Sequence, residues 1–412
     1  MTSMATNATT DHLLSVSNVR APCRMLVVGV GDGGGHCVIR MSETWRNGPD
    51  IAFINTDVKA LSACPVGRCI PIGKTTAHGL GTAGDATMGR LAAEENIEEI
   101  QELLSQYDFV FMVGGLGGGT AGGTMPLIAQ IAGKAGIITL CFVTMPFKFE
   151  GDRKRLSAEE ALRVLRQAAD TVVCLPNDRL QELADPNLPV ESAFRITDEI
   201  VAAGVHAMWR LLTQDGVINL NFADVRELFE RSGGTCGYGY AEGRGPARAT
   251  DALQALLDSP LLAKGRQISE ALGVLVSITG GPDLTLAEVQ GIMGQIQAMT
   301  RTNAKFFFGA LVDPAWRDRI SITVLVTEHW LEDREGKIPA RDTAHDLITN
   351  VRPDSAEAAD TATGNTDIEQ TEIPFEAAGK GRFEKVEPTF YRGQDLDIPT
   401  YIRRGLNLSF EH

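Results

Sequence analysis

Apolar runs and helical patterns alternate through the first half of the chain. Met25–Val30 (MLVVGV) is continuously apolar, the mark of a strand covered on both faces. Residues 51–55, 109–113, 137–143 and 171–175 repeat that pattern, with helical segments between them. Alternating strand and helix predicts a parallel sheet with helices on both faces. Residues 192–213 then form one long helical pattern, with Ile196, Ile200, Val201, Val205, Met208, Leu211 and Leu212 on its apolar side. A helix this apolar is expected to be buried, as a spine between two domains. After a loop at 214–224 a second unit is predicted, with strands at 272–278, 305–311 and 320–326 and helices near 248–257 and 286–300.

The pattern fades near residue 330. Asp, Glu, Ala and Thr dominate from there to 382, and aliphatic residues are scarce. Such a stretch cannot bury enough apolar area to offset chain entropy. Aromatic residues return at Phe390, Tyr391, Tyr401 and Phe410. The expected organisation is therefore α/β. It comprises a disordered extension (1–22), a Rossmann-like parallel-sheet domain (23–191), a long central helix (192–215) and a smaller α+β domain (216–329). A disordered linker (330–382) and a terminal segment (383–412) follow. A length of 412 residues agrees with more than one core. Residues 109–133 are uncharged and long enough to cross a bilayer, but their glycines and Pro126 break them into strand, loop and helix. The N-terminal stretch lacks the basic start and apolar run of a signal peptide.

A net charge of −15 argues against nonspecific nucleic-acid binding, which needs a basic face. The seven cysteines are scattered and odd in number, which reads as reduced. Cys64 and Cys69 lack a companion pair of ligands, so no metal site is predicted from them.

Two glycine-rich stretches follow two of the buried strands, at Gly29–Gly35 and Gly114–Gly123. Backbone without side chains can approach a phosphate closely and turn its N–H groups toward it. The helix expected after each adds a positive N-terminal end, and Thr120 adds a hydroxyl. Neither stretch carries the Gly-Lys-Ser/Thr of a Walker loop. Gly29, Gly31 and Gly34 also satisfy the dinucleotide fingerprint, with Asp57 placed to hold a ribose. A dinucleotide-dependent oxidoreductase is therefore a rival on the first stretch alone. Five glycines within residues 117–123 carry an entropic cost that points to a bound ligand.

The run Gly117-Gly118-Gly119-Thr120-Ala121-Gly122-Gly123 resembles the signature of the tubulin/FtsZ family. Further matches follow in chain order: Asn55-Thr56-Asp57, Gly79-Leu80-Gly81 with Gly84, the segment Pro146 to Gly151, Pro176 to Leu180, Asn219 to Val225, and Ser259 to Leu262. Asp395 to Arg404 is similar to the FtsZ C-terminal peptide. The resemblance covers about 24–327 and then 383–410. It implies a polymerising GTPase of cell division, cytoplasmic and at the division site, with GTP or GDP as ligand and Mg2+ as companion. By position it implies that Asp32, Gly33, Gly34, Gly35 and His36, with Gly119, Thr120 and Ala121, contact the phosphates. Glu150 and Lys154 would lie near ribose and phosphates, Phe194 would pack on the base, and Asp198 would read it. An ionised carboxylate only accepts hydrogen bonds, and guanine offers adjacent N1–H and N2–H donors where adenine does not.

The same resemblance makes Asn219 to Asp224 the hydrolytic loop, with Asp224 and Asn221 acting on the nucleotide of a neighbouring subunit in a head-to-tail filament. Residues 394–404 would dock division-protein adaptors and membrane anchors, as a short amphipathic segment on a tether suits. The chain departs from the family at several places. Asn221 stands where Asp is usual, Ala121-Gly122 replaces Gly-Thr or Gly-Ser, Lys154 replaces Arg, and His36 replaces Asn. Ala121 is expected to inherit glycine-like backbone angles. Asn can orient a water but cannot take its proton, so a GTP-binding scaffold with weak or absent hydrolysis stands beside the GTPase reading.

Overall fold

The computed structural model describes residues 23–45, 48–65, 67–181, 189–214, 216–330, 390–391 and 394–395. The extension 1–22 lies outside these. So do the linker and terminal segment, except for Trp330 and the two residue pairs at 390–391 and 394–395.

The five predicted apolar runs form strands, and a strand at Arg68–Pro71 that the sequence reading omits joins them. β1 (Met25–Val30), β2 (Asp50–Asn55), β3 (Arg68–Pro71), β4 (Phe109–Gly115), β5 (Ile138–Met145) and β6 (Thr171–Pro176) are joined by helices. These are α1 (Gly31–Thr44), α2 (Val58–Ser62), α3 (Ala86–Glu95), α4 (Ile97–Leu104), α5 (Gly119–Lys134) and α6 (Asp152–Ala168). The strands lie in the order β3-β2-β1-β4-β5-β6, all parallel. Every residue of β1 is buried, because helices cover both faces. One face packs residues of α3, α4, α5 and α6, including Ile100, Met125 and Leu165. The other packs α1 and the long helix described below, through Val38, Met41, Val201 and Val205.

The glycine stretches are not free loops, which corrects the sequence reading. Gly31 already opens α1 and Gly119 opens α5. Several of their glycines are required by backbone packing. A Cβ on Gly34 would sit 2.2 Å from the Val113 carbonyl oxygen, and one on Gly123 would sit 2.0 Å from that of Ala86. The entropic cost of these glycines is thus offset in part by close helix–strand and helix–helix contact. Ala121 lies within α5 and has no positive φ, so the angles it takes there are ordinary helical ones.

α7 (Asn177–Gln181) and then α8 (Val190–Thr213) follow β6. α8 begins two residues before the predicted spine and ends where expected. Gly204 on α8 lies under the ring of Tyr238, whose hydroxyl donates to the Ile200 carbonyl at 3.1 Å. α9 (Phe222–Arg231) leads into β7 (Gly234–Arg244), a strand the sequence reading omits. The rest comprises α10 (Arg248–Leu257), α11 (Arg266–Glu270), β8 (Gly273–Gly280), α12 (Leu286–Met299), β9 (Lys305–Val312) and β10 (Arg319–Thr327). β7 pairs parallel with β6 and antiparallel with β10, which pairs antiparallel with β8. β8 pairs parallel with β9. Both halves therefore share one sheet of ten strands. A separate unit contains β11 (Phe390–Tyr391) and β12 (Gln394–Asp395), an antiparallel pair at the start of the predicted terminal peptide. Among the described residues no helix is long and apolar enough to cross a membrane.

Candidate functional site

A cavity of about 920 Å³ opens where α1 and α5 begin, and it extends to the first turns of α8. None of the described residues lining it lies beyond Val201. Two helix N-termini face it together. Gly31, with φ of +68°, approaches Thr120 and Ala121, and Gly33 approaches Gly115. The residues preceding the two helices, Val30 and Gly118, supply no side-chain cap. First-turn N–H groups without a capping side chain, on two converging positive helix ends, suit an anion.

Polar side chains close this end. The Thr56 and Thr120 hydroxyls lie 2.7 Å apart, with the Thr82 hydroxyl 3.4 Å from Thr120. Asn55 donates its amide to Asp32 at 2.8 Å. His36 is exposed on the cavity side of α1. Glu150 accepts from the Phe147 N–H at 2.8 Å and pairs with Lys154. That pair is substantially exposed on the lysine side, so it orients the side chains more than it stabilises the fold. Gly34 and Gly35 are buried under Val113 and the Phe53 ring, and neither lines the cavity.

The other end is built by α8, α1 and the start of α7. Phe194 stands edge-on to Phe147, centroids 5.4 Å apart, and remains 41% exposed. Asp198 is half-buried and paired with Arg40, Nε to Oδ2 at 2.8 Å. Burial raises the Asp198 carboxyl to about 6, against the opposing pull of Arg40. The Cys37 thiol donates to the Asp198 carbonyl oxygen at 3.7 Å. Its burial pushes that thiol well up, which makes it an unreactive neighbour.

The structure thus gathers Asp32, Gly33, His36, Gly119, Thr120, Ala121, Glu150, Lys154, Phe194 and Asp198 around one cavity. It also adds residues that sequence reasoning left out. Asn177 is 4% exposed, lines the cavity, and its amide oxygen has no hydrogen-bond partner among the described residues. Leaving a buried acceptor unpaired costs about 1–3 kcal/mol, so this oxygen calls for a ligand donor. Arg40, Asn55, Thr56 and Thr82 join it. The motif matches at Asn55-Thr56-Asp57 and Pro176 to Leu180 flagged three of these, Asn55, Thr56 and Asn177, without assigning them roles, and Asp57 itself caps α2 by accepting from Lys59 N–H.

Asn221 and Asp224 are not part of this cavity. Asn221 is the residue preceding α9, and the Asp224 carboxylate accepts from its backbone N–H at 3.2 Å. α9 is anchored by buried Val225, Leu228 and Phe229. Asn221 is exposed and Asp224 is half-exposed. Among the described residues no group of three or more His, Cys, Asp or Glu could cage a metal ion.

Comparison with known proteins gives consistent matches. Residues 24–185 match the model of the Tubulin/FtsZ family, GTPase domain, and 234–329 that of the FtsZ family, C-terminal domain. The chain is 39% identical over 301 residues to "Cell division protein FtsZ 1" of Archaeoglobus fulgidus, covering 73% of this chain and 81% of that protein. An empty FtsZ dimer from M. jannaschii superposes with a TM-score of 0.69 at 34% identity, covering 75% of this chain and 89% of that one. CetZ2 of Haloferax volcanii, a GTPγS-bound protofilament, shares the fold with a TM-score of 0.61 at 22% identity, over 79% and 98% of the two chains.

Proposed function

The chain belongs to the FtsZ branch of the tubulin/FtsZ family of GTP-binding cell-division cytoskeletal proteins, and from that premise we propose a GTPase that assembles head to tail and hydrolyses GTP at the junction between subunits. It works in the cytoplasm at the division site. One observation carries the reading: two uncapped helix N-termini converge at one end of a cavity whose other end holds a carboxylate. An anion site at one end and a hydrogen-bond acceptor at the other suit a guanine nucleotide.

In this reading the first-turn N–H groups of α1 and α5 take the phosphates, with Gly33, Gly119 and Ala121 supplying close backbone and Thr120 a hydroxyl, while Gly34 and Gly35 hold α1 against the sheet. Glu150 and Lys154 border the ribose and phosphates. Phe194 packs on the base, Asp198 accepts from its N1–H and N2–H, and Asn177 accepts a further donor. The residues also fit Mg2+, which keeps several waters and needs one or two carboxylates besides phosphate oxygens. Asp32 is the carboxylate placed beside the phosphate end. When bound, Mg2+ neutralises phosphate charge.

Asn221 and Asp224 stand outside their own chain's cavity, which supports their delivery to the nucleotide of a second copy. Asp224 then orients or deprotonates the attacking water, and Asn221 orients it. Residues 23–191 serve as the nucleotide domain and 216–329 as the activating domain. Residues 394–404 bind adaptors and membrane anchors. A second reading, a GTP-binding scaffold with weak hydrolysis, is favoured by one feature: Asn221 provides an amide where a proton acceptor would serve.

Sedimentation with GTP, with GDP and with a non-hydrolysable analogue, alongside phosphate release against protein concentration, tests both. Polymers with release that rises with concentration support the GTPase. Polymers without release leave the scaffold, and neither polymer nor guanine binding overturns both.

A further inference from the structure

Asp198 is not free in its end of the cavity. The Arg40 guanidinium, reaching across from α1, donates through Nε to Oδ2 at 2.8 Å. No other hydrogen bond to the Asp198 side chain is formed within the described residues, so Oδ1 is left for a ligand. The two side chains are well shielded, 14% exposed for Asp198 and 32% for Arg40.

A carboxylate reads guanine only while ionised. A protonated carboxyl turns one of its oxygens into a donor, which faces the N–H groups of the base edge and repels them. The surroundings of Asp198 favour that unwanted form, since burial penalises the charge. His36 on α1 opposes protonation, while Glu199 on α8 promotes it. The buried Cys37 thiol contacts only the Asp198 backbone. Arg40 is the largest influence on the ionised side.

We propose that Arg40 is a positioning residue for base selection: it keeps the Asp198 carboxylate ionised and turned so that its free oxygen meets the guanine edge. This rests on the guanine reading of the cavity above. It makes nucleobase discrimination, rather than overall nucleotide affinity, the property that depends on Arg40, and it makes that dependence a function of pH.

The test compares GDP with IDP, which lacks the 2-amino group, by calorimetric titration of the full chain from about pH 5 to about pH 9. The ratio of their dissociation constants cancels phosphate titration, which both ligands share. The wild type should prefer GDP about tenfold or more at the alkaline end, the worth of a hydrogen bond to a charged group. The preference should fade in acid as the Asp198 carboxyl takes up its proton in the complexes. Arg40→Gln should move the midpoint of that fading up by about one pH unit or more while restoring the preference at the alkaline end. Arg40→Lys, which keeps the charge, should keep the midpoint close to the wild-type value. An unchanged midpoint in Arg40→Gln overturns the proposal, and so does a loss that is the same at every pH, by misfolding or by a lost direct contact. Asp198→Asn should abolish the preference throughout. Should Asp198→Asn retain it, or should the wild type bind neither nucleotide, the guanine reading itself fails, an outcome separate from failure at Arg40.

Discussion

The Asn55 amide donates to the Asp32 carboxylate across 2.8 Å, tying the end of β2 to the first turn of α1. The bond fixes a negative charge among the N–H groups proposed to take phosphate. Two unit charges about 4 Å apart repel by about 4 kcal/mol at an effective dielectric near 20, so a phosphate seated there calls for a cation between them. Asp32→Asn keeps the size and the acceptor for Asn55 and removes the charge. Its GTP affinity should be higher than wild type in EDTA, and its gain on adding Mg2+ should shrink by about tenfold. Calorimetry with and without Mg2+ checks this, and equal gains in the two proteins would exclude Asp32 from any role with the cation.

Asn177 separates a ligand role from a structural one by the sign of two effects. Its amide oxygen accepts no hydrogen bond among the described residues. Asn177→Ala should therefore leave the melting temperature unchanged or raised, while GTP affinity falls about threefold to tenfold, the worth of one hydrogen bond. A lower melting temperature with unchanged affinity would make Asn177 structural.

Asn221→Asp addresses hydrolysis. Asn and Asp precede a helix equally well, so α9 should remain intact and the melting temperature unmoved. A positioned general base is worth roughly 10²–10⁴ in rate, and Asp224 already supplies part of it. Phosphate release from polymers should rise by about tenfold or more. An unchanged rate at matched polymer mass would mean that the amide at 221 does not limit turnover.

Gly123 and Gly118 should respond in opposite ways to alanine. At 123 the new Cβ meets the Ala86 carbonyl oxygen at 2.0 Å, and Gly123→Ala should destabilise the fold by about 1–3 kcal/mol, as overpacking does. At 118 the backbone is extended, with φ of −91°, and nothing lies within 4 Å. Gly118→Ala should melt like wild type and bind GTP less tightly, because the added methyl projects from a residue that lines the cavity. Thermal unfolding and nucleotide titration of the two variants distinguish packing glycines from ligand glycines.

The apolar runs made the parallel strands legible, because a strand covered on both faces has no polar alternation to confuse it. β7 was not legible. Its glycines at 237, 239 and 243 depress strand propensity, yet each is demanded by a neighbour: Gln267 and Val326, Leu262 and Leu256, and the Arg248 backbone. The neighbours of Gly237 and Gly239 are remote in sequence, and that of Gly243 meets it only because the chain turns back into α10, so the demand is visible only in three dimensions. The glycine-lined end of the cavity was legible because glycine acts there through backbone, which composition reveals. The roles proposed at the other end rest on the family resemblance. Asn177 and Arg40 gain their meaning from burial and from the facing helix, which a linear pattern does not record.

β7 belongs to both halves of the sheet, but unequally. It shares eight residue pairs with β10, from Arg319↔Arg244 to Val326↔Gly237, and only three with β6, from Thr171↔Gly234 to Val173↔Cys236. The pairs at 171–173 and 234–236 are thus the narrowest hydrogen-bonded link in the ten-stranded sheet. The halves on either side depend for their alignment on the core they share beneath α8, where Val201, Val205 and Met208 pack with Phe142, Tyr238 and Leu275.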